Sequence, residues 1–561
     1  MQFSFLALLE QTDANSNPRH FQDLIYNNSM LGSIYENEHR PVSPSYRGSG
    51  HIGKDLSLNL CTTAPSYARN CIGRLVSVDM LSSLPDELLI RILSLLPTKD
   101  VAAICSLSRR LMPVFPWITT LDLDDSPIVH CLKHPYAIQR FPNFVAFVDT
   151  VLGVHQSPYL TRFRLGLASD FSAGYLPGCC GGQKDCFPDL NFTLVKAWIC
   201  FPIARYGLRE LDLHIHLRQS DDCQLPTEIF TCETLEVLKI DVNLGLDQVS
   251  TMPSFNLPNL KKLHLSASLF PDDGLVSRLV SSCPLLEDLT AEGWWKDGQS
   301  TIISSPSLRR LALTIERDTC ELDNPDFVLI QTPNLEHLYY ADNLALHYSV
   351  PSMQSLVMAV ISIGNRLLNE ESDISFQQML NLLRPLSNVQ HLYLHGSCMK
   401  DLDFVEVKDQ LPLFPNLKNL SLDIDVDSVL DRSLLAFLNS SPVLETLVFP
   451  RGLGSVSIEG CDDDDRNRFE LNQEFCRSAQ AIPSCCKSHL KRIEIKIFYG
   501  LRQEVDLIEF MLRHALVLEE LVIRGDSVWL PKSISRVDKK SAESTLKMLQ
   551  RASANCSIQV L

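Results

Sequence analysis

The sequence predicts a mixed α/β solenoid preceded by a small all-α head, on three observations. The pattern LxxLxL recurs at near-regular spacing, helix-forming apolar segments follow several of its copies, and residues 81 to 110 carry two short amphipathic helices outside that rhythm.

The repeat sets the architecture. Its copies are LRELDL (208), LEVLKI (235), LKKLHL (260), LEDLT (286), LRRLAL (308), LEHLYY (335), VQHLYL (389), LKNLSL (417), LETLVF (444), LKRIEI (490) and LEELVI (518). First residues are spaced by 27, 25, 26, 22 and 27 as far as 335, and then by 54, 28, 27, 46 and 28. The gap of 54 holds a degenerate copy, LVMAVI at 356, while ITTLDL (118) and LTRFRL (160) read as the first, irregular units. Alternation within LxxLxL puts the leucines of a short strand on one face and the variable residues on the other. Segments such as DGLVSRLVSSC (273 to 283) and RSLLAFLNSS (432 to 441) supply helices that cover the strands from outside. A repeat of this length and pattern is a leucine-rich-repeat solenoid, whose coils bury their apolar faces only against neighbours. The Asn or Cys that usually follows LxxLxLxx is mostly missing. SASLF follows Leu265 and TIERD follows Leu313, which predicts irregular turns.

The head precedes this array. Ser83 and Asp86 have capping-box spacing and Pro85 suits a first turn, so a helix is expected to begin near Leu84 or Pro85 and to stop at Pro97. Leu88, Ile92 and Leu95 form one stripe, and Leu89, Leu93 and Leu96 the next. Thr98 or Asp100 is expected to cap a second helix with Val101, Ile104 and Leu107 on one face and Arg109 and Arg110 near its C-terminus. Two helices this short cannot bury both arcs against each other. The surplus apolar surface must meet the following domain or another protein.

Composition excludes several classes. A formal charge of -17 argues against a phosphate-tracking surface and favours a basic partner. Eighteen cysteines in 561 residues are too sparse for a disulfide scaffold and are read as buried thiols. MQFSFLALLE lacks a basic n-region and a cleavage site, and no apolar run is long enough to span a bilayer. A reducing compartment, cytoplasm or nucleus, is expected. Residues 1–76 show no stripe of either period and are expected to be disordered.

The stretch LSSLPDELLIRILSLLPTKDVAAICSLSRR resembles the F-box motif in its plant form. Leu84-Pro85, Leu88, Ile92-Leu93, Leu96-Pro97-Thr98-Lys99-Asp100 and Leu107-Ser108-Arg109-Arg110 are in register with it. The resemblance implies docking onto a Skp-type adaptor and, through it, a cullin scaffold with its RING subunit. The adaptor-facing positions carried over are Leu84, Pro85, Leu88, Ile92, Leu93, Leu96 and Pro97, with Ile104 and Leu107 in support. Leu111 stands where the family usually has Trp, and Phe115 or Trp117 is expected to replace that bulk. The run CCKSHLKRIEIKIFYGLRQEVDLIEFMLRHALVLEELVI (485 to 523) is similar to the FBD domain that ends many plant F-box/leucine-rich proteins. Within it, Val505, Ile508, Leu512 and Leu516 read as a helical stripe that closes the solenoid. The expected division is an N-terminal segment at 1–76, an F-box at 77–125, the solenoid at 126–480 and FBD-like repeats with a cap at 481–561.

Most catalytic motifs are missing from the sequence: no GxxxxGK[ST], HExxH or GxSxG occurs. CCGGQKDC (179 to 186) has no second Cys or His pair at zinc-finger spacing and reads as a solvent-facing insertion. CDDDDRN (461 to 467) lacks the alternating ligands and final Glu of a calcium loop and reads as a solvated acidic loop. His214 and His216 in LDLHIHL share the variable face of one strand and are the candidates for ligand contact there; Trp294 and Trp295 receive no assignment. No cofactor or metal is expected, nor any nucleic-acid or membrane partner. The resemblance implies a non-catalytic substrate-recognition subunit of a Skp-cullin-F-box E3 ubiquitin ligase that presents a target for ubiquitination and proteasomal degradation. The alternatives are a leucine-rich scaffold that delivers no substrate, and a small-molecule receptor, which a buried Arg and Lys cluster on the concave strands would favour.

Overall fold

A computed structural model describes residues 83–124, 135–167, 190–217, 223–271, 274–295, 300–316, 327–342, 347–349, 351, 353–363, 372–396, 398, 411–423, 430–453, 482–498, 502–524, 544 and 546–561. Its helices include α1 (Asp86–Leu93), α2 (Thr98–Leu107), α3 (Pro135–Val154), α4 (Phe192–Ile203), α5 (Leu275–Ser281), α6 (Ser372–Leu383), α7 (Leu430–Ser440) and α8 (Arg502–His514). The strands are β1 (Thr120–Asp124), β2 (Arg162–Leu167), β3 (Glu210–Ile215), β4 (Val237–Val242), β5 (Lys262–Phe270), β6 (Asp288–Trp295), β7 (Thr301–Ser304), β8 (Arg310–Glu316) and β9 (Phe327–Gln331). They continue as β10 (His337–Asp342), β11 (His347–Ser349), β12 (Met358–Ile363), β13 (His391–Gly396), β14 (Asn419–Leu422), β15 (Thr446–Phe449), β16 (Arg492–Ile495), β17 (Glu520–Ile523) and β18 (Ser557–Val560).

Fifteen of these strands form one parallel sheet in chain order, from β1 to β18 with β7, β9 and β11 left out. Each expected LxxLxL unit supplies one rung, as do the irregular units at 118 and 160 and the degenerate LVMAVI, which becomes β12 between β10 and β13. The leucines face inward as the alternation requires: Leu208, Leu211 and Leu213 are wholly buried, and so are Leu417, Leu420 and Leu422. The residue after the first Leu carries a backbone ladder between coils. Glu236 N donates to Arg209 O, Lys261 N to Glu236 O and Glu287 N to Lys261 O, at 2.8 to 2.9 Å. In place of the missing Asn after the strand, the polar residue just before the unit bridges coils. Thr234 Oγ1 donates to Leu208 O at 2.6 Å, Asn259 Nδ2 to Glu233 O at 2.8 Å and Ser307 Oγ to Leu286 O at 2.8 Å.

The outer side is not helical throughout. α5 and α7 fall where DGLVSRLVSSC and RSLLAFLNSS predict them, but β7, β9 and β11 form a small parallel sheet between α5 and α6. Their segments TIIS, FVLIQ and HYS are β-branched or aromatic and too short to sustain a helix, so strand pairing is the better outlet for their backbone groups.

The head departs from the expected capping. α1 begins at Asp86 with Pro85 as its N-cap and no side-chain cap bond; Asp86 instead pairs with Arg110 at 2.5 Å, and Arg110 also donates to Leu84 O. The helix ends at Leu93, ahead of Pro97, where Ser94 Oγ turns back onto Ile90 O at 2.7 Å. Pro97, rather than Thr98 or Asp100, occupies the N-cap of α2. Leu111 is itself buried with Val114 and Ile118, Phe115 is half-buried, and Trp117 is exposed.

Thr98 is buried and joins the head to the solenoid: its Oγ1 accepts from Asp122 N at 2.7 Å, while Ser94 Oγ accepts from Thr119 N at 2.9 Å. β1 is thereby closed by the head. Thr98→Val keeps the shape but leaves the Asp122 N–H without its acceptor, and should lower the unfolding free energy by about 1–3 kcal/mol in urea titrations. An unchanged midpoint would mean that this junction contributes no stability.

At the other end β16, β17 and β18 extend the same sheet, so the C-terminal region continues the solenoid. α8 packs Leu507, Ile508, Met511 and Leu512 inward; Val505 is only half-buried, and Leu516 lies beyond the helix and is exposed. The expected stripe is therefore turned by about one residue.

Candidate functional site

The head carries two opposed sets of apolar side chains. Leu89, Leu93, Val101 and Cys105 point inward and join the core that runs into β1. Leu88, Ile92, Leu95 and Leu96 of the first helix and its turn, with Ile104, Leu107 and Met112, remain 37% to 90% exposed. Helical periodicity explains the split, since Leu88, Ile92 and Leu95 recur at i, i+4 and i+7. Of the positions expected to face an adaptor, Leu88, Ile92, Leu96, Ile104 and Leu107 are open, Pro85 and Pro97 are exposed beside them, and Leu84 is half-buried. Leu93 is the exception: at 2% exposure it is a packing residue of this chain. Val101 likewise faces inward, so it shares a side with Cys105 and not with Ile104 and Leu107. Met112 lies outside the expected set, because it follows the helical pattern rather than continuing it. Covering seven such side chains contributes on the order of 1.5–3 kcal/mol each, against an association cost of about 4–15 kcal/mol. A lasting contact with a second protein is within reach of this surface.

The second site is the concave side of the long sheet, where the variable residues stand in rows across the rungs. On β3, β4 and β5 these rows hold a dense polar network. His214 contacts Asp212 through Nε2 at 2.8 Å and Asp241 through Nδ1 at 3.4 Å, and His216 Nε2 lies 3.2 Å from Asp241. Lys239 Nζ is 3.9 Å from Asp212. Burial alone would depress His214, but its hydrogen bonds to both carboxylates outweigh that and raise it to about 9. Burial opposes ionisation of Asp241, yet the two imidazoles hold it well below the usual carboxylate range. Next to them His264 is buried, and desolvation pushes it down to about 4. The two histidines named from the sequence thus sit on the expected face, but bind this chain's own aspartates. Three arginines elsewhere on the strands are also paired: Arg164 with Asp122 and Asp124, Arg310 with Asp288, and Arg492 with Glu494 and Glu520.

Comparison with known proteins fits this geometry. Residues 81–113 match the F-box domain, residues 195–364 the leucine-rich repeats described for the FBD-associated F-box protein At5g56370, and residues 480–523 the FBD domain. The chain is 31% identical to F-box/LRR-repeat protein At4g14103 of Arabidopsis thaliana over 69% of its own length and 95% of that protein's. It is 30% identical to F-box/LRR-repeat protein At3g59200 of the same plant, covering 87% of this chain and 89% of the relative. The putative F-box/FBD/LRR-repeat protein At3g59240 is 29% identical over 86% and 89% of the two chains. The chain belongs to the plant F-box/leucine-rich-repeat family.

In this F-box/leucine-rich-repeat protein the F-box match spans α1, α2 and Leu111, the repeat match runs from α4 to β12, and the FBD match ends at β17. The family type is that of a substrate receptor, with a docking motif at one end and a protein-binding array behind it. CCGGQKDC, CDDDDRN and residues 1–76 lie outside the described residues. Among those that are described, no cluster of His, Cys, Asp and Glu is arranged to hold a metal ion, and no helix is long and apolar enough to cross a membrane. The described cysteines are free thiols; Cys105, Cys223, Cys283, Cys398, Cys485, Cys486 and Cys556 are buried, and Cys200 and Cys232 partly so.

Proposed function

We propose that the protein is the substrate-recognition subunit of a Skp-cullin-F-box ubiquitin ligase, working in the cytoplasm or nucleus. The observation that carries this reading is the exposed stripe of Leu88, Ile92, Leu96, Ile104 and Leu107, which nothing in the described chain covers, on helices matched to the F-box. A Skp-type adaptor closes over that stripe, and the cullin and RING subunit follow from the adaptor. The solenoid holds a target protein and raises the effective concentration of its lysines near a ubiquitin-charged enzyme. The chain supplies position and no covalent step, and the modified target goes to proteasomal degradation. The pairing of Arg164, Lys239, Arg310 and Arg492 with carboxylates weighs against a small-molecule receptor that would use them as a free cationic cradle.

The test is capture. The adaptor and cullin should co-purify with the wild-type chain, and Leu88→Asp with Leu96→Asp should abolish that capture at an unchanged melting temperature, because both side chains face solvent. Capture that survives the double substitution would refute the docking assignment.

A further inference from the structure

We propose that the ends of β5, β6 and β8 form a subsite on the concave rim for a cationic side chain, arginine or lysine, carried by an extended segment of the target protein. The inference rests on the target-holding role given above and names the chemistry of one contact within it.

These three strands outrun the rest of the ladder, at 9, 8 and 7 residues. Between Ala267 and Phe270 the register shifts, so that Ser268 and Leu269 together oppose Trp294 in a bulge. Gly293 permits it. Its φ is +147°, and a Cβ there would stand 2.0 Å from Ala267 O, so no other residue allows the two strands to approach this closely. On the inner side Phe270 and Trp295 stack with ring centroids 4.4 Å apart and pin the bulge. On the concave side, in line with Thr290 and Glu292, Trp294 is 47% exposed, and Leu269 in the bulge is 48% exposed.

The neighbouring rung brings the charge. Glu316 is the register partner of Trp294 and shares its face. Glu316 is half-buried, burial raises its carboxyl above the ordinary range, and among the described residues it has no hydrogen bond or ion pair. By contrast Asp122, Asp124, Asp212, Asp241, Asp288 and Glu494 on the same side are each paired with a basic side chain. An indole face beside a carboxylate that no described basic side chain pairs calls for a guanidinium or ammonium, which is attracted to the ring quadrupole and to the charge at once. Leu269 then packs the aliphatic stem of that side chain. The overall charge of -17 draws a basic segment toward the site.

A random peptide library selected on the full-length protein in complex with its adaptor tests this. The selected peptides should share a basic residue, and replacing it by citrulline in a resynthesised peptide should weaken binding about tenfold. Trp294→Ala and Glu316→Gln should each weaken the basic peptide about fivefold or more, with melting temperature and adaptor capture unchanged. Peptides without a common basic residue, or a basic peptide that binds both variants as tightly as the wild type, would overturn the proposal. Failure of the ligase reading is separable, because it appears as loss of adaptor capture by the wild-type chain.

Discussion

Asp241→Ala is expected to lower the unfolding free energy by about 3–5 kcal/mol, the range found when one partner of a buried charged pair is removed. Asp241 is the carboxylate on which His214 and His216 converge, and its side chain is 8% exposed. Without it His216 loses its acidic neighbour at 3.2 Å and His214 keeps only Asp212. Asp241→Asn keeps one hydrogen-bond acceptor and should cost less than the alanine. The coils share their stability with adjacent coils, so the loss should appear as a shift of the whole urea transition. A shift worth under about 1 kcal/mol would show that the network is surface decoration.

The same cluster should give stability a maximum near neutral pH. His264 has a folded value near 4, below the ordinary 6.5, so the unfolded chain binds the extra proton and stability falls as pH drops from about 6.5 to 4. His214 is shifted the opposite way, to about 9, so its contribution is full below 6.5 and is lost as pH rises from there to 9. Displacements of this size each correspond to roughly 3 kcal/mol. Denaturant midpoints measured from pH 4 to pH 9 should therefore trace a dome. His264→Gln should flatten its acid limb and His214→Gln its alkaline limb; limbs that persist in both variants would assign the dependence to other groups.

The periodic features of this protein are the readable ones. A period near 27 residues fixes which leucines are buried and all but the last rung of the sheet, β18, whose SIQV lacks the leucine pattern; LVMAVI is readable although it has lost most of its leucines, because packing between coils tolerates any apolar residue of suitable size. The apolar excess on α1 is equally legible, but its division is not. Ile92 and Leu93 are adjacent in sequence and 39% against 2% exposed, and the packing of the helix against the Phe115–Trp117 turn and the core decides which of them turns inward. The polar network of the concave face is legible only as two histidines on a variable face. Their partners are Asp212 on the same strand and Asp241 on the next coil, and the second pairing exists only once the register of β3 and β4 is set. Trp294 has no role legible in the sequence for a similar reason: alternation alone puts it on the variable face, but its neighbours there, Leu269 in the bulge and Glu316 on the next rung, are set by the strand register.

The bonds of Thr98 and Ser94 to the first coil turn the head and the array into a single lever. Rungs of a sheet stand about 4.8 Å apart, so the basic segment proposed for the sixth rung would be held about 24 Å along the arc from the head. In the ligase proposed above, the place on the arc where a cargo is seized would decide which of its lysines comes within range, and moving the grip by one coil would change the modified residue.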